Sequence, residues 1–306
     1  MKILAITGST GSKSGSSFLR IILKNIIVIK TIFPEGIRLL VRDKKKLKDF
    51  NLTADSNIKI YEGNLEDVNY LDFALKNVDT IVHIAGITYS KNICSISAKN
   101  GVKRIISVHT TGIYSKYKKA GETYRKIDDF CKSICKNNNI NLNILRPTMI
   151  YGNITDNNII KFIKMVDKLP LMPIIKNGKY KLQPVHYEDL ANAYYEILIN
   201  EEKTFNQDFI LSGGNEISLK ELLKTIGNKL DKKVYFINCP FCLAYIGSWF
   251  LYIITFRKKD YREKVQRLCE SRVYSHEKAS EVFGYNPRNF EEGIVDEINM
   301  YKEVLK

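Results

Sequence analysis

Over the first half of this 306-residue chain, short apolar runs alternate with helix-length amphipathic stretches. Residues 3–6 read as a buried strand, followed by a turn of Gly, Ser and Thr and an apolar helical stretch over 17–33 (Phe18, Leu19, Ile21, Ile22, Ile26, Ile27). Pro34 and Gly36 break that helix, and further strands are predicted at 37–41, 58–61, 79–86 and 104–108. Helix-length spacers between strands require parallel pairing through right-handed crossovers. The pattern therefore predicts an α/β fold.

The second half is less regular. A helix is predicted over 122–136, a strand at 142–145, a polar loop at 153–158, a helix from about 191 to 199 and a strand at 208–211. Ser218 and Glu221 form a capping box for an amphipathic helix reaching about Leu230. Residues 240–256 carry no charge and run directly into Arg257, Lys258 and Lys259. At seventeen residues, interrupted by Gly247 and Ser248, the segment is too short for a comfortable membrane span. It reads as a helix packed inside a smaller second domain, with contact to a membrane surface as the other reading.

The chain carries 48 Lys and Arg against 33 Asp and Glu, a net charge of +15. These cations are spread along the whole length, and no basic stripe interleaves with aromatics as a nucleic-acid surface requires. The charge favours small anionic substrates instead. Six cysteines, including Cys239 and Cys242 in a C-x-x-C, read as buried and reduced, and the four histidines have no metal-ligand spacing. His83 is expected to be a satisfied core residue, His186 to support a loop, His276 to be exposed, and His109 to flank Thr110, with substrate contact as the other reading. The chain opens straight into a strand without a signal-like n-region, which predicts a cytoplasmic protein.

The opening strand, glycine turn and helix form the geometry that sets free backbone N–H groups and a helix N-terminus against a phosphate. With Thr7-Gly8-Ser9-Thr10-Gly11 at that turn, the chain resembles the short-chain dehydrogenase/reductase superfamily, in its NAD-dependent epimerase/dehydratase branch. Asn64-Leu65, Ile84-Ala85-Gly86, the run from Leu145 through Arg146, Pro147 and Thr148 to Gly152, the run from Val185 to Ala191, and Lys278-Ala279 through Pro287 match further landmarks in the same order. The resemblance implies a Rossmann-type doubly wound parallel sheet over residues 1–150, with return segments near 180–215. A smaller, mostly helical substrate region over 151–306 would be interleaved with it, in a monomer or homodimer. It further implies NAD(P) on the sheet and a nucleotide-sugar or related hydroxyl or carbonyl substrate beneath the smaller region.

Carried over by position, Gly8, Thr10, Gly11, Ser12 and Lys13 would cradle the pyrophosphate, and Asn64 and Leu65 the adenine. Ala85 and Gly86 would meet the middle of the dinucleotide, and Pro147 and Thr148 the carboxamide. Arg42 at the tip of the second strand favours NADP, with NAD left open through Asp43. Thr110 would orient the substrate hydroxyl. Two departures stand out. Ser14 occupies the third glycine position and Gly15 follows one later, which puts Lys13 in the turn. The family's catalytic Tyr-x-x-x-Lys is also out of place: Tyr124 falls near the lysine slot, Asp128 near the usual Glu and Ala120 near the tyrosine slot. Tyr124 and Lys126 are then the surviving polar candidates beside Thr110. Tyr114 with Lys118, and Tyr274 with Lys278, keep the spacing elsewhere. An NAD(P)-dependent enzyme is expected; a non-catalytic NADP-binding sensor or assembly protein is the alternative.

Overall fold

A computed structural model describes the chain except residues 1, 12, 51, 53–56, 259, 305 and 306. In chain order the first half comprises β1 (Leu4–Thr7), α1 (Ser14–Lys24), α2 (Ile26–Ile32), β2 (Ile37–Val41), β3 (Ile58–Glu62), α3 (Val68–Leu75), β4 (Thr80–His83), α4 (Ser90–Lys99), β5 (Arg104–Val108), α5 (Gly121–Asn137) and β6 (Asn141–Pro147). The second half holds β7 (Ile150–Tyr151), α6 (Ile159–Lys168), β8 (Leu171–Ile175), β9 (Lys181–Leu182), β10 (Val185–His186), α7 (Tyr187–Ile199), α8 (Glu201–Thr204), β11 (Asp208–Leu211), β12 (Ile217–Ser218) and α9 (Leu219–Lys229). It ends with β13 (Tyr235–Cys239), α10 (Phe241–Ile254), α11 (Arg262–Arg267), α12 (Glu277–Phe283) and α13 (Phe290–Val304).

Seven strands form one parallel sheet in the order β11-β6-β5-β4-β1-β2-β3. This is the Rossmann arrangement, with strand order reversing between β1 and β4. β1 and β4 are buried at every position, as strands covered on both faces are, so they show no alternation of buried and exposed residues. One apolar layer combines α1, α7 and α12 (Phe18, Leu19, Tyr194, Phe283) against one face of the sheet, and another places α3, α4 and α5 on the other. A third cluster gathers α6, α9 and α13 around Ile163, Leu222 and Phe290.

The first crossover helix is not continuous. Asn25 ends α1 with its side-chain amide donating to the Ile21 carbonyl at 2.9 Å, and α2 begins one residue later. An Asn that bonds its own turn competes with the helical ladder there. α1 also starts four residues before Phe18, at Ser14. The cysteines divide: Cys94, Cys131 and Cys135 are buried, whereas Cys239 is half-buried and Cys242 exposed, and all six are free thiols. The apolar segment departs most from expectation, because α10 buries only Ser248 instead of packing inside a second domain. Among the described residues no helix is long and apolar enough to cross a membrane.

Two buried ionisable side chains, Arg104 and Glu297, sit in the packing itself. The Arg104 guanidinium donates to the carbonyls of Ile197 and Leu198 and to Thr204 Oγ1, satisfying the end of α7, and burial pushes it down to about 10. Glu297 on α13 accepts from the Gly152 amide at 2.7 Å, and burial beside Asp156 pushes its carboxyl up to about 9. A carboxyl raised by folding contributes stability that is full below its unfolded value and is lost as pH rises toward the folded one. Glu297→Gln is therefore expected to raise the melting temperature more at pH 8 than at pH 5, which a pair of thermal melts checks.

Candidate active site

The C-terminal ends of β1, β2, β4, β5 and β6 open into a cavity of about 710 Å³. In an open α/β sheet the ligand crevice lies at these ends, where strand order reverses. Gly8, at φ +76°, turns the chain out of β1; a Cβ there would lie 2.6 Å from the Ala85 amide nitrogen. Gly11 closes the turn with its amide on the Gly8 carbonyl at 2.9 Å. Lys13 sits at the N-cap of α1 and supplies no side-chain cap, so the helix N-terminus faces the cavity uncapped. Gly15 takes up the role missing at Ser14: a Cβ on it would stand 2.0 Å from the Gly8 carbonyl oxygen. The glycine needed for close helix–turn packing is present, one residue late, and the added length lies in the turn. Ser12 lies outside the described residues.

His83 fixes the corner of β4. Its Nδ1 meets Thr7 Oγ1 at 2.7 Å and its Nε2 meets the Gly86 carbonyl at 3.0 Å, while burial pushes the imidazole down to about 3. A neutral ring bridging a hydroxyl and a carbonyl is the satisfied core histidine expected there. Gly86, at φ +124°, turns the chain past the cavity with Ala85.

At the β2 end, Arg42 and Lys46 line the cavity and make no ion pair among the described residues. Asp43 is committed elsewhere: its side chain accepts from the Lys45 amide at 2.9 Å and caps the turn over Lys44–Leu47. Asn64 and Leu65 lie on the same wall. Asn64 Oδ1 accepts from the Glu66 amide, and the Leu65 carbonyl accepts from Asn92.

Thr110, Tyr124, Pro147 and Thr148 line the middle of the cavity. Thr110 Oγ1 accepts from the Gly112 amide at 3.0 Å, which leaves its hydroxyl hydrogen available. Pro147 ends β6, its carbonyl held by Thr111 Oγ1. The structure does not bring Lys126 to these residues. That side chain is exposed and pairs with Glu122 one helical turn away at 2.7 Å. Two residues apart on a helix, Tyr124 and Lys126 project about 200° apart, so only one of them can face the sheet. Of the two displaced Tyr-x-x-x-Lys spacings, each contributes one member: Lys118 and Tyr274 line the cavity, with Tyr114 packed on the Tyr274 ring at 5.4 Å.

Behind Thr110 lies a buried network that the sequence placed only in part. His109 Nδ1 donates to Asp128 Oδ1 at 2.5 Å, Arg146 donates to Asp128 Oδ2, and Arg146 also reaches Asp208 at 3.0 Å. Burial pushes the Asp128 carboxyl up, but the hydrogen bonds from His109 and Arg146 outweigh it and hold Asp128 below the usual range. The network ties the end of β5 to α5 and β6, and so sets the wall that carries Thr110 and Tyr124.

A second group of cations comes from the C-terminal region. Arg267 and Arg272 line the cavity, and each keeps a buried Nε without a hydrogen-bond partner. Burial, helped by the neighbouring Arg267 charge, pushes Arg272 down to about 10, and Glu270 offsets this only in part. Arg267 ends the short α11 and Arg272 follows it, with no periodic signal in that stretch, so sequence patterning missed both. His276 is half-buried rather than exposed, its Nδ1 2.7 Å from Ser212 Oγ. His186 is buried, with Glu188 and Asp296 near its two ring nitrogens. Those carboxylates already face Arg288, at 3.1 and 3.6 Å, so the cluster has its positive charge from the protein.

The cavity fits a dinucleotide by its own chemistry: an uncapped helix N-terminus, glycines that admit no Cβ, and free cations at the β2 end. Comparison with known proteins agrees with this shape. Over 289 residues the chain is 21% identical to a UDP-glucose 4-epimerase of Vibrio cholerae, covering 81% of this chain and 82% of the relative. It is 41% identical over 87 residues to a UDP-glucose 4-epimerase of Rickettsia bellii, a match spanning 24% of that relative. A UDP-glucuronic acid 4-epimerase from Bacillus cereus, solved with UDP-glucuronic acid and NAD, superposes with a TM-score of 0.74 at 14% identity, covering 99% of this chain and 100% of that one. A dTDP-glucose 4,6-dehydratase from Streptomyces venezuelae, solved with NAD, superposes equally well at 16% identity, covering 98% and 97%. The fold is thus that of NAD-dependent epimerases and dehydratases. The model of the NmrA-like family matches residues 1–246, and the chain belongs to that family.

Proposed function

We propose that the protein binds NADP(H) and acts as an oxidoreductase or epimerase on a nucleotide-sugar or related hydroxyl or carbonyl substrate. The observation that carries this is the charge layout of a single cavity. Arg42 and Lys46 stand at the β2 end without acidic partners among the described residues, the hydroxyls of Thr110 and Tyr124 lie past β5 and on α5, and Arg267 and Arg272, each with a buried Nε lacking a hydrogen-bond partner, line the same cavity. Two separate groups of cations in one cavity suit a dinucleotide and a second phosphate-bearing ligand.

Lys13 and the α1 N-terminus would hold the pyrophosphate, with Gly8, Thr10 and Gly11 shaping the turn. Asn64 and Leu65 would bound the adenine, and Ala85 and Gly86 the middle of the dinucleotide. Pro147 and Thr148 would flank the carboxamide. When bound, the nicotinamide supplies hydride exchange. The Thr110 hydroxyl would orient a substrate oxygen, and Tyr124 would hold or pass its proton. Arg267 and Arg272 would take the substrate's phosphates.

NADP is preferred over NAD because Arg42 is free while Asp43 is occupied in capping its own turn. Arg42→Ala is expected to weaken NADP(H) binding by roughly 10- to 100-fold, the loss of one charge-assisted contact, and to leave NAD(H) nearly unchanged. Titration calorimetry with both nucleotides checks this.

A second reading rests on a specific observation. Lys126 pairs with Glu122 in solvent, and each displaced Tyr-x-x-x-Lys spacing brings one member to the cavity, Lys118 or Tyr274, which also fits a non-catalytic NADP-binding sensor or assembly protein. The deciding experiment follows nicotinamide absorbance with NADP(H) and a panel of nucleotide-sugars. Enzyme function predicts turnover that falls at least 100-fold in Thr110→Ala and Tyr124→Phe with nucleotide binding retained. Tight NADP(H) binding with no turnover in any variant supports the sensor reading, and failure to bind either dinucleotide overturns both.

A further inference from the structure

We propose that α10 and the basic turn after it dock the protein on an anionic lipid surface. This inference is independent of what the cavity binds. α10 is built the wrong way round for a globular helix. Its protein-facing side carries Ala244, Tyr245, Ser248, Tyr252 and Thr255, all buried or half-buried. Its outer side carries Leu243, Ile246, Trp249 and Phe250 at 61%, 60%, 50% and 59% exposure, with Phe256 at 87% just beyond the helix. At 100° per residue the exposed positions sweep about 200° of the circumference. On β13, which leads into α10, and its partner β8, the register partners Tyr235 and Leu171 are exposed as well. Contiguous apolar surface of this extent marks an interaction site.

Charge selects the occupant. Segment 240–256 has no charged residue, and Arg257 and Lys258 follow it without an ion pair among the described residues. Every acid from 240 to 271 is already engaged. Asp260 is held by Arg262 and Lys119, Glu263 lies near Lys118 and Arg267, and Glu270 accepts from Ser115 and the Lys116 amide. What faces outward is an apolar helix edged by uncompensated cations, the pairing an anionic bilayer satisfies and an ordinary protein interface does not require. Fourteen residues make a helix about 21 Å long, short of the bilayer core, so α10 lies in one leaflet rather than crossing. α10 packs on α11, whose Arg267 lines the cavity, so the docked face adjoins the site.

Trp249 is the only tryptophan in the chain and stands on this face, so its emission reports docking directly. The experiment mixes the full chain with vesicles of phosphatidylcholine alone or with phosphatidylglycerol, and follows Trp249 emission, quenching by brominated lipid and co-flotation. Docking predicts a blue shift and quenching on the anionic vesicles. Partitioning should fall roughly 30-fold in an Arg257→Gln/Lys258→Gln double variant, the loss of two basic contacts. Leu243→Glu with Phe250→Glu should abolish the shift while circular dichroism stays native. Unchanged emission on anionic vesicles, or equal partitioning onto neutral ones, overturns the proposal. So does a concentration-dependent dimer that buries Trp249 without lipid, which would assign the face to a second copy of the chain.

Discussion

Asp128→Ala is expected to cost about 3–5 kcal/mol of stability, measured as a lower urea midpoint with an unchanged slope. Asp128 is buried and accepts from two groups at once, His109 on one oxygen and Arg146 on the other. Truncation leaves the Arg146 guanidinium with Asp208 as its remaining carboxylate partner, and its Nε and Nη1 have no hydrogen bond to begin with. Most of the cost is the desolvated charge left behind rather than the contact removed. Asp128→Asn, which keeps the shape and one acceptor, should recover part of the loss. The pH profile separates the two. Folding holds the Asp128 carboxyl below its ordinary value, so its contribution is full above pH 4 or so and fades as pH falls through the depressed value. Both variants should flatten the acid limb of the stability curve; an acid limb identical to that of the unmodified protein would mean the carboxylate is not held as the geometry requires.

Gly15→Ala is expected to remove dinucleotide binding by roughly 100-fold while the chain still folds, a loss of about 3 kcal/mol in binding. Gly15 lies within α1, where alanine is conformationally welcome, so any damage is steric. The added Cβ would sit 2.0 Å from the Gly8 carbonyl oxygen, a backbone atom of the turn itself, and no rotamer relieves that. The helix must back away from the turn. Its uncapped N-terminus then no longer points where the phosphate lies, and the cost of overpacking adds about 1–3 kcal/mol to folding. Calorimetric titration beside a thermal melt distinguishes lost binding from lost structure. Retained affinity would show that the turn does not hold the dinucleotide.

Much of the site was legible because the sheet brings together residues that occur in a fixed order along the chain. Gly8, Gly11, Ala85, Gly86, Thr110, Pro147 and Thr148 sit at or just beyond strand ends, and all of them line the cavity. Lys126 was not decided by that logic. Tyr124 and Lys126 are neighbours in sequence, but helical periodicity sends one to the cavity and the other to Glu122 in solvent. Arg267 and Arg272 carried no periodic signal; they line the cavity from the end of α11 and from the chain just after it, a placement that only the packing of the C-terminal region sets. His109 was visible beside Thr110, but its bond to Asp128 joins residues nineteen apart through α5 and β5.

By itself, then, the sequence determined the parallel sheet, the glycine turn and the landmarks around it. These depend on apolar run length and local turn chemistry, which are short-range properties. Only the tertiary structure decided which side chains converge and which remain outside. It moved the third-glycine role to Gly15, since close helix–turn contact is a matter of space rather than position in a motif. It also turned α10 outward. A helix apolar on most sides can be buried or exposed with the same sequence, and what settles the choice is whether another element packs against it. Here α11 meets its more polar edge, and the apolar face is left outside.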